Sequence, residues 1–282
     1  MASASGRPWL AWQRTLTGNP ATVGIVVIAA LGLAALIPAL RIPVLSGMCV
    51  GLLLSAGGRA PRWRWAFAAG VPVALLLAWS RFVHDRLLEG PYACADLLSP
   101  VAWQRVLEAV VVIGAVVLLV RFLGTSLGAL GLGRPSRNEV ILGVAAILLV
   151  PLPSLYIGAI LAEPFFGEMD LDLGQPAAIV PALVLAVANG TMEELVYRGA
   201  LMAWLSRAAG PLVGLLGQAA IFGLAHTGPD FTGPALPVVL AIMAAGLVAG
   251  LIVRRTGSLW FVIAAHIAFD VPLYYAAACR LG

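Results

Sequence analysis

Residues 187–208 read VANGTMEELVYRGALMAWLSRA, and the adjacent carboxylates Glu193 and Glu194 in that run decide how the chain is read. Their neighbours are those of a helix buried in apolar surroundings, with Ala, Val, Leu, Met and Trp prevailing. A carboxylate in the middle of a bilayer costs at least about 2–3 kcal/mol, so two in succession require partners or a task. Successive residues on a helix point about 100° apart, so the two glutamates cannot serve one partner equally. Glu194 and Arg198, spaced i,i+4, can pair along one face. The simplest division makes Glu194–Arg198 a brace and leaves Glu193 for chemistry.

The rest of the chain says where this run lies. Of 282 residues, 61% are hydrophobic and only 11% charged, with mean hydropathy +1.00. Soluble domains hold about 45–50% apolar and about 25% charged residues, so a water-soluble core is excluded. Apolar runs at 21–40, 42–58, 65–80, 103–120, 140–161, 176–206, 211–226, 238–253 and 258–279 predict an all-α, polytopic transmembrane helix bundle of eight or nine spans. The second run reads as a hairpin partner of the first. Residues 176–206 exceed one span and are expected to project past the bilayer or to break near Pro181. Residues 1–138 form N-terminal transmembrane helices that end in a Gly-rich, basic cytoplasmic connection, FLGTSLGALGLGRPSRN at 122–138. Residues 139–282 form a core that carries the motifs.

All 17 basic residues are Arg, and most fall on alternate connections, among them Arg7, Arg14, Arg59, Arg62, Arg64, Arg121, Arg134, Arg137, Arg207, Arg254 and Arg255. The acidic stretch Glu163, Glu168, Asp170 and Asp172 falls on the other side. The positive-inside rule then makes this a multi-pass cell-membrane protein with a cytoplasmic N-terminus. Its expected partner is the lipid bilayer. No basic run interleaved with aromatics exists, so no nucleic-acid partner is expected. The three cysteines lack metal spacing. Cys49 reads as a small core residue, whereas Cys94 and Cys279 fall on the outer side and could pair only in an oxidising compartment.

Two later segments extend the polar set: IFGLAHTG at 221–228 and WFVIAAHIAFD at 260–270. Phe222 and His226 are four apart, so the ring can pack under the imidazole; His266 and Asp270 share a face in the same way. Counting 1.5 Å per residue from the cytoplasmic helix ends, Glu193 lies about 20 Å deep, His226 about 22 Å, and His266 and Asp270 about 12 and 18 Å. Three helices thus bring polar groups to overlapping depth, which predicts one active-site cavity within the membrane. Elsewhere the readings are plainer. Glu108 is expected to be paired or to face a crevice, and His84, beside Asp85 and Arg86, to be a solvated loop residue.

Glu-Glu-x-x-x-Arg, then Phe-x-x-x-His, then His-x-x-x-Asp, on successive apolar segments, resembles the signature of the CAAX protease and bacteriocin-processing family. That group of intramembrane peptidases includes type II CAAX prenyl endopeptidases and lysostaphin-resistance-like proteins. The resemblance covers about residues 176–275. It implies an intramembrane endopeptidase that hydrolyses a peptide bond in a membrane-associated protein or peptide. Glu193 with His226 would activate water, His266 and Asp270 would stabilise the oxyanion, and Glu194, Arg198 and Phe222 would support them. Alternatively Glu193, His226 and His266 would hold Zn, whose bound water is the nucleophile. Carboxylate and imidazole groups alone do not choose between these. The competing reading is a non-catalytic membrane scaffold or bacteriocin-immunity factor of the same fold. A proton- or ion-coupled transporter is disfavoured by the lack of an internal repeat.

Overall fold

Long runs of Ala, Val and Leu without polar alternation favour the element that satisfies its own backbone. The computed structural model describes residues 20–57, 61–87, 100–157, 176–227 and 235–278, and among them helices are the only regular element. They are α1 (Pro20–Leu36), α2 (Arg41–Ser55), α3 (Pro61–Leu87), α4 (Pro100–Phe122), α5 (Arg137–Leu149), α6 (Ile179–Glu194), α7 (Met202–Ala209), α8 (Pro211–Leu224), α9 (Ala235–Thr256) and α10 (Trp260–Ala278). Four of them open on Pro, whose missing N–H costs nothing at the first helical position. A capping box between Ser136 and Glu139 starts α5.

Burial runs inward from a lipid-like exterior. Leu54, Leu118, Leu148 and Leu152 are about 70–80% exposed (80%, 71%, 69% and 68%), and such a continuous apolar surface does not belong in water. The centre is the stretch 192–205, in which Met192, Leu195, Tyr197, Leu201, Trp204 and Leu205 are all buried. Around it pack Val27 and Leu31 of α1, Val73 of α3, and Val112 and Val116 of α4. The chain is therefore a membrane protein whose glutamate helix is the innermost element.

Among the described residues, three helices, Pro38–Ser55, Ile179–Ala209 and Leu236–Thr256, are long and apolar enough to cross a membrane. A fourth follows if Arg137–Leu149 and Pro151–Ile157, bent by 46°, form one span. These counts are of the described residues, and by length and composition alone they do not reach the eight or nine spans expected. Helices such as Pro211–Leu224 fall short in length, since 14 residues rise only about 21 Å. α3 and α4 instead carry charge within their length.

Local departures from expectation have physical causes. The glutamate helix does not break at Pro181, which sits in the first turn of α6 where no intrahelical N–H is required. α1 and α2 meet mainly at their connection, where Arg41, 7% exposed, turns back to donate from Nε to the Ala34 carbonyl at 3.3 Å, and α2 packs chiefly on α3 rather than pairing with α1 as a hairpin. The connection 122–138 is a folded strap. Gly131 takes φ +90°, and its carbonyl accepts from Leu259 N at 2.9 Å. Trp260 Nε1 donates to the Gly133 carbonyl at 2.6 Å. His84 lies within α3 and not in a loop, because that helix continues to Leu87. Cys49 is half-buried against the core rather than within it. Cys94, Cys279 and the acidic stretch 163–172 lie outside the described residues.

Candidate active site

The site forms where α6 meets α10. Gly190 permits the approach: a Cβ there would stand 3.0 Å from Ile267 Cγ1 and 3.1 Å from Ile267 N. On either side of this crossing, polar groups of the two helices meet. Asn189 Nδ2 donates to Asp270 Oδ2 at 2.9 Å. One turn further along α6, Glu193 Oε2 faces His266 Nε2 at 3.7 Å. Asp270 Oδ2 is 3.6 Å from the same nitrogen. The other ring nitrogen, Nδ1, lies 2.7 Å from Glu194 Oε1. His266 is therefore held between carboxylates on both sides, an arrangement that fixes its ring plane.

Glu194 is shared. Its Oε1 also lies 3.1 Å from Arg198 Nη1, and both side chains are almost fully buried. Between them the helix changes character: Leu195–Leu201 is a π-helix, every residue of which is buried. Single π turns inside α-helices recur at functional sites. The expected brace is present, but it belongs to the site as much as to the fold, because one carboxylate oxygen serves Arg198 and His266 together.

Phe222 of α8 ties in the third helix. The Arg198 guanidinium lies 4.0 Å from the centroid of its ring. Tyr197, His226 and His266 meet the same ring edge-on at 5.0, 4.8 and 6.3 Å. His226 Nδ1 is 2.7 Å from the Phe222 carbonyl; a carbonyl only accepts, so Nδ1 carries a proton, and in the neutral ring Nε2 has the lone pair. α8 ends at Leu224, so His226 stands in the turn beyond the helix and not inside it. Thr227 Oγ1 secures that turn by donating to the Leu224 carbonyl at 2.7 Å. The six ionisable residues singled out in the sequence thus gather in one place, with His226 joined through Phe222.

Two features were not assigned to the site from the sequence. Asn189, 6% exposed, is a polar partner of Asp270 one turn before Glu193; its only trace in the sequence is an amide in an otherwise apolar run. The second is a charge pair on α4. Arg105 and Glu108 form an ion pair, as expected for Glu108, and both interact electrostatically with Glu193. Arg105 also acts on Tyr274 and Asp270 of α10. The residues before the motifs therefore contribute charge to the site.

Several buried polar atoms here find no hydrogen-bond partner in the protein: Glu193 Oε2, Glu194 Oε2, Asn189 Oδ1 and Arg198 Nε. Buried polar atoms are seldom left so, and a group of them beside reactive side chains is consistent with a functional role. Among the described residues no three or more His, Cys, Asp or Glu side chains are grouped to hold a metal ion. The set Glu193, His226 and His266 is thus not gathered as a metal site.

Residues 175–272 match the family model of the Rce1-like type II CAAX prenyl endopeptidases. The match spans 98 of the 282 residues and covers all three motifs and Asn189. The resemblance carried by those motifs is thereby shown over that segment. No curated protein and no solved structure matches the chain.

Proposed function

We propose that this membrane protein, Rce1-like over residues 175–272, is an intramembrane endopeptidase acting on a membrane-associated peptide or protein. The family supports protease activity of the CAAX type. The observation that carries the reading is Glu193: buried, within reach of an imidazole, with Oε2 lacking a hydrogen-bond partner in a three-helix cluster. A carboxylate so placed is suited to take a proton from water.

In the reaction, Glu193 takes a proton from water as its oxygen bonds to the scissile carbonyl carbon, and the carbonyl oxygen becomes negative. His226 Nε2, carrying a lone pair, helps hold that water. His266, braced by Glu194 and Arg198, faces the developing charge. Collapse of the tetrahedral intermediate breaks the C–N bond, and the proton held by Glu193 passes to the leaving amine. The shorter apolar helices would cross the cell membrane with the longer ones, giving a multi-pass bundle with a cytoplasmic N-terminus. Membrane-impermeant thiol labelling of single cysteines in each connection tests that arrangement.

The test of function is comparative peptidomics of host membranes carrying wild type, Glu193→Gln or His226→Ala. One or more membrane-associated peptides should remain uncut in both variants, with protein levels unchanged. Identical peptide profiles in all three would remove the peptidase reading and favour a scaffold or immunity factor.

A further inference from the structure

An oxyanion needs donors, and the carboxylate of Asp270 is a poor one. Its Oδ2 already accepts from Asn189 Nδ2 at 2.9 Å and faces His266 Nε2 at 3.6 Å. That oxygen acts as an acceptor, and a negative oxygen beside a developing oxyanion raises its energy. The donors at this corner are the groups that Asp270 orients, and one of them is the Asn189 amide. Asn189 is 6% exposed and lies four residues before Glu193 on regular α-helix, ahead of the π segment. The two side chains therefore share one face, separated by about one turn, or 5–6 Å between Cβ atoms. Its Nδ2 carries two hydrogens, and the bond to Asp270 uses one. Its Oδ1 has no hydrogen-bond partner in the protein, so the amide is not locked on that side.

We propose that Asn189 is a catalytic residue, whose second Nδ2–H donates to the oxyanion of the scissile carbonyl. Asp270 is the positioning residue that aims this amide and the His266 ring. The substrate carbonyl then sits between Glu193, which activates water on one side, and Asn189 with His266, which receive the negative charge on the other. Other groups facing this corner are Arg105 and Glu108 from α4 and Tyr274 from α10. No bond to Asn189 is made or broken; its contribution is a hydrogen bond stronger in the transition state than in the ground state.

This rests on the peptidase reading, and the experiment separates the two. The peptide that accumulates in Glu193→Gln membranes is synthesised with a fluorophore and quencher and offered to purified protein in liposomes. Asn189→Ala should lower kcat by about 100-fold or more, with KM within about threefold. Asn189→Asp should lose activity too, since it sets two carboxylates against each other. The exchange Asn189→Asp with Asp270→Asn restores one amide and one carboxylate to the pair, and should regain at least about tenfold over Asn189→Asp. Folded Asn189→Ala with wild-type kcat would overturn the proposal, while an inactive Glu193→Gln would keep the peptidase reading. Should Asn189→Ala not fold, the exchange decides: no recovery over Asn189→Asp refutes the role. If no peptide accumulates in Glu193→Gln membranes, both readings fall.

Discussion

Consider replacing Arg198 by Met, which keeps the length of the side chain and removes its charge. Arg198 is 2% exposed, its Nη1 is 3.1 Å from Glu194 Oε1, and its guanidinium lies 4.0 Å from the centroid of the Phe222 ring. Without it, Glu194 keeps only His266 as a partner while its Oε2 already has no hydrogen bond. Removing one member of a buried pair costs about 3–5 kcal/mol. The lost cation–π contact, worth about 1–2 kcal/mol when desolvated, lies within that range. A loss near 4 kcal/mol corresponds to about three decades in the ratio of folded to unfolded protein. The control is Arg207→Met: that residue is exposed, with its guanidinium 4.7 Å from the Trp65 ring, and should cost no more than about 1 kcal/mol. Adding Glu194→Gln to Arg198→Met removes the stranded charge and keeps an acceptor for His266, so at least half of the loss should return. Equilibrium unfolding in mixed micelles, followed by tryptophan fluorescence, measures all four proteins. An Arg198→Met protein no less stable than Arg207→Met, or a double variant no better than the single, would refute the claim that this pair organises the site.

Other consequences are open to measurement. Gly190→Ala places a Cβ 3.1 Å from the Ile267 backbone nitrogen, which cannot swing aside, so α6 and α10 must part by a few tenths of an ångström. Overpacking of this kind costs about 1–3 kcal/mol. The misplaced Glu193–His266 pair should also cost at least about tenfold in kcat, without any polar group being removed. For the metal, peptide cleavage should persist after exhaustive chelation, and the protein should carry no stoichiometric zinc by mass spectrometry. One tightly bound zinc per chain, lost together with activity, would restore the zinc mechanism.

The polar centre was legible because charge in an apolar run is expensive and therefore informative. Glu193, Glu194, His266 and Asp270 announce themselves in this way, and the rise per residue along each helix brings Glu193, His226, His266 and Asp270 to overlapping depth. His226 was read correctly as a neighbour of Phe222 but placed inside a helix that stops at Leu224. Thr227 and the turn geometry carry that ending, and a single apolar run does not reveal it. Asn189 escaped notice because an amide costs less than a carboxylate and pairs with a residue 81 positions away. The π segment was not legible because LVYRGAL suits an ordinary helix, and only the structure shows the wider turn, with Tyr197 and Leu201 buried in the core.

The π segment also separates two functions along one rod. A helix is a phase-locked object: the direction of any side chain fixes all others downstream, at about 100° per residue. Seven residues in i→i+5 geometry absorb extra residues without lengthening the rod in proportion, and so reset that phase. Asn189, Glu193 and Glu194 upstream can then be aimed at α10, while Trp204, Leu205 and Arg207 downstream are oriented independently against α3 and α8. Selection on the reactive end need not disturb the seating of the other, as with two cams joined by a slipping collar on a single shaft.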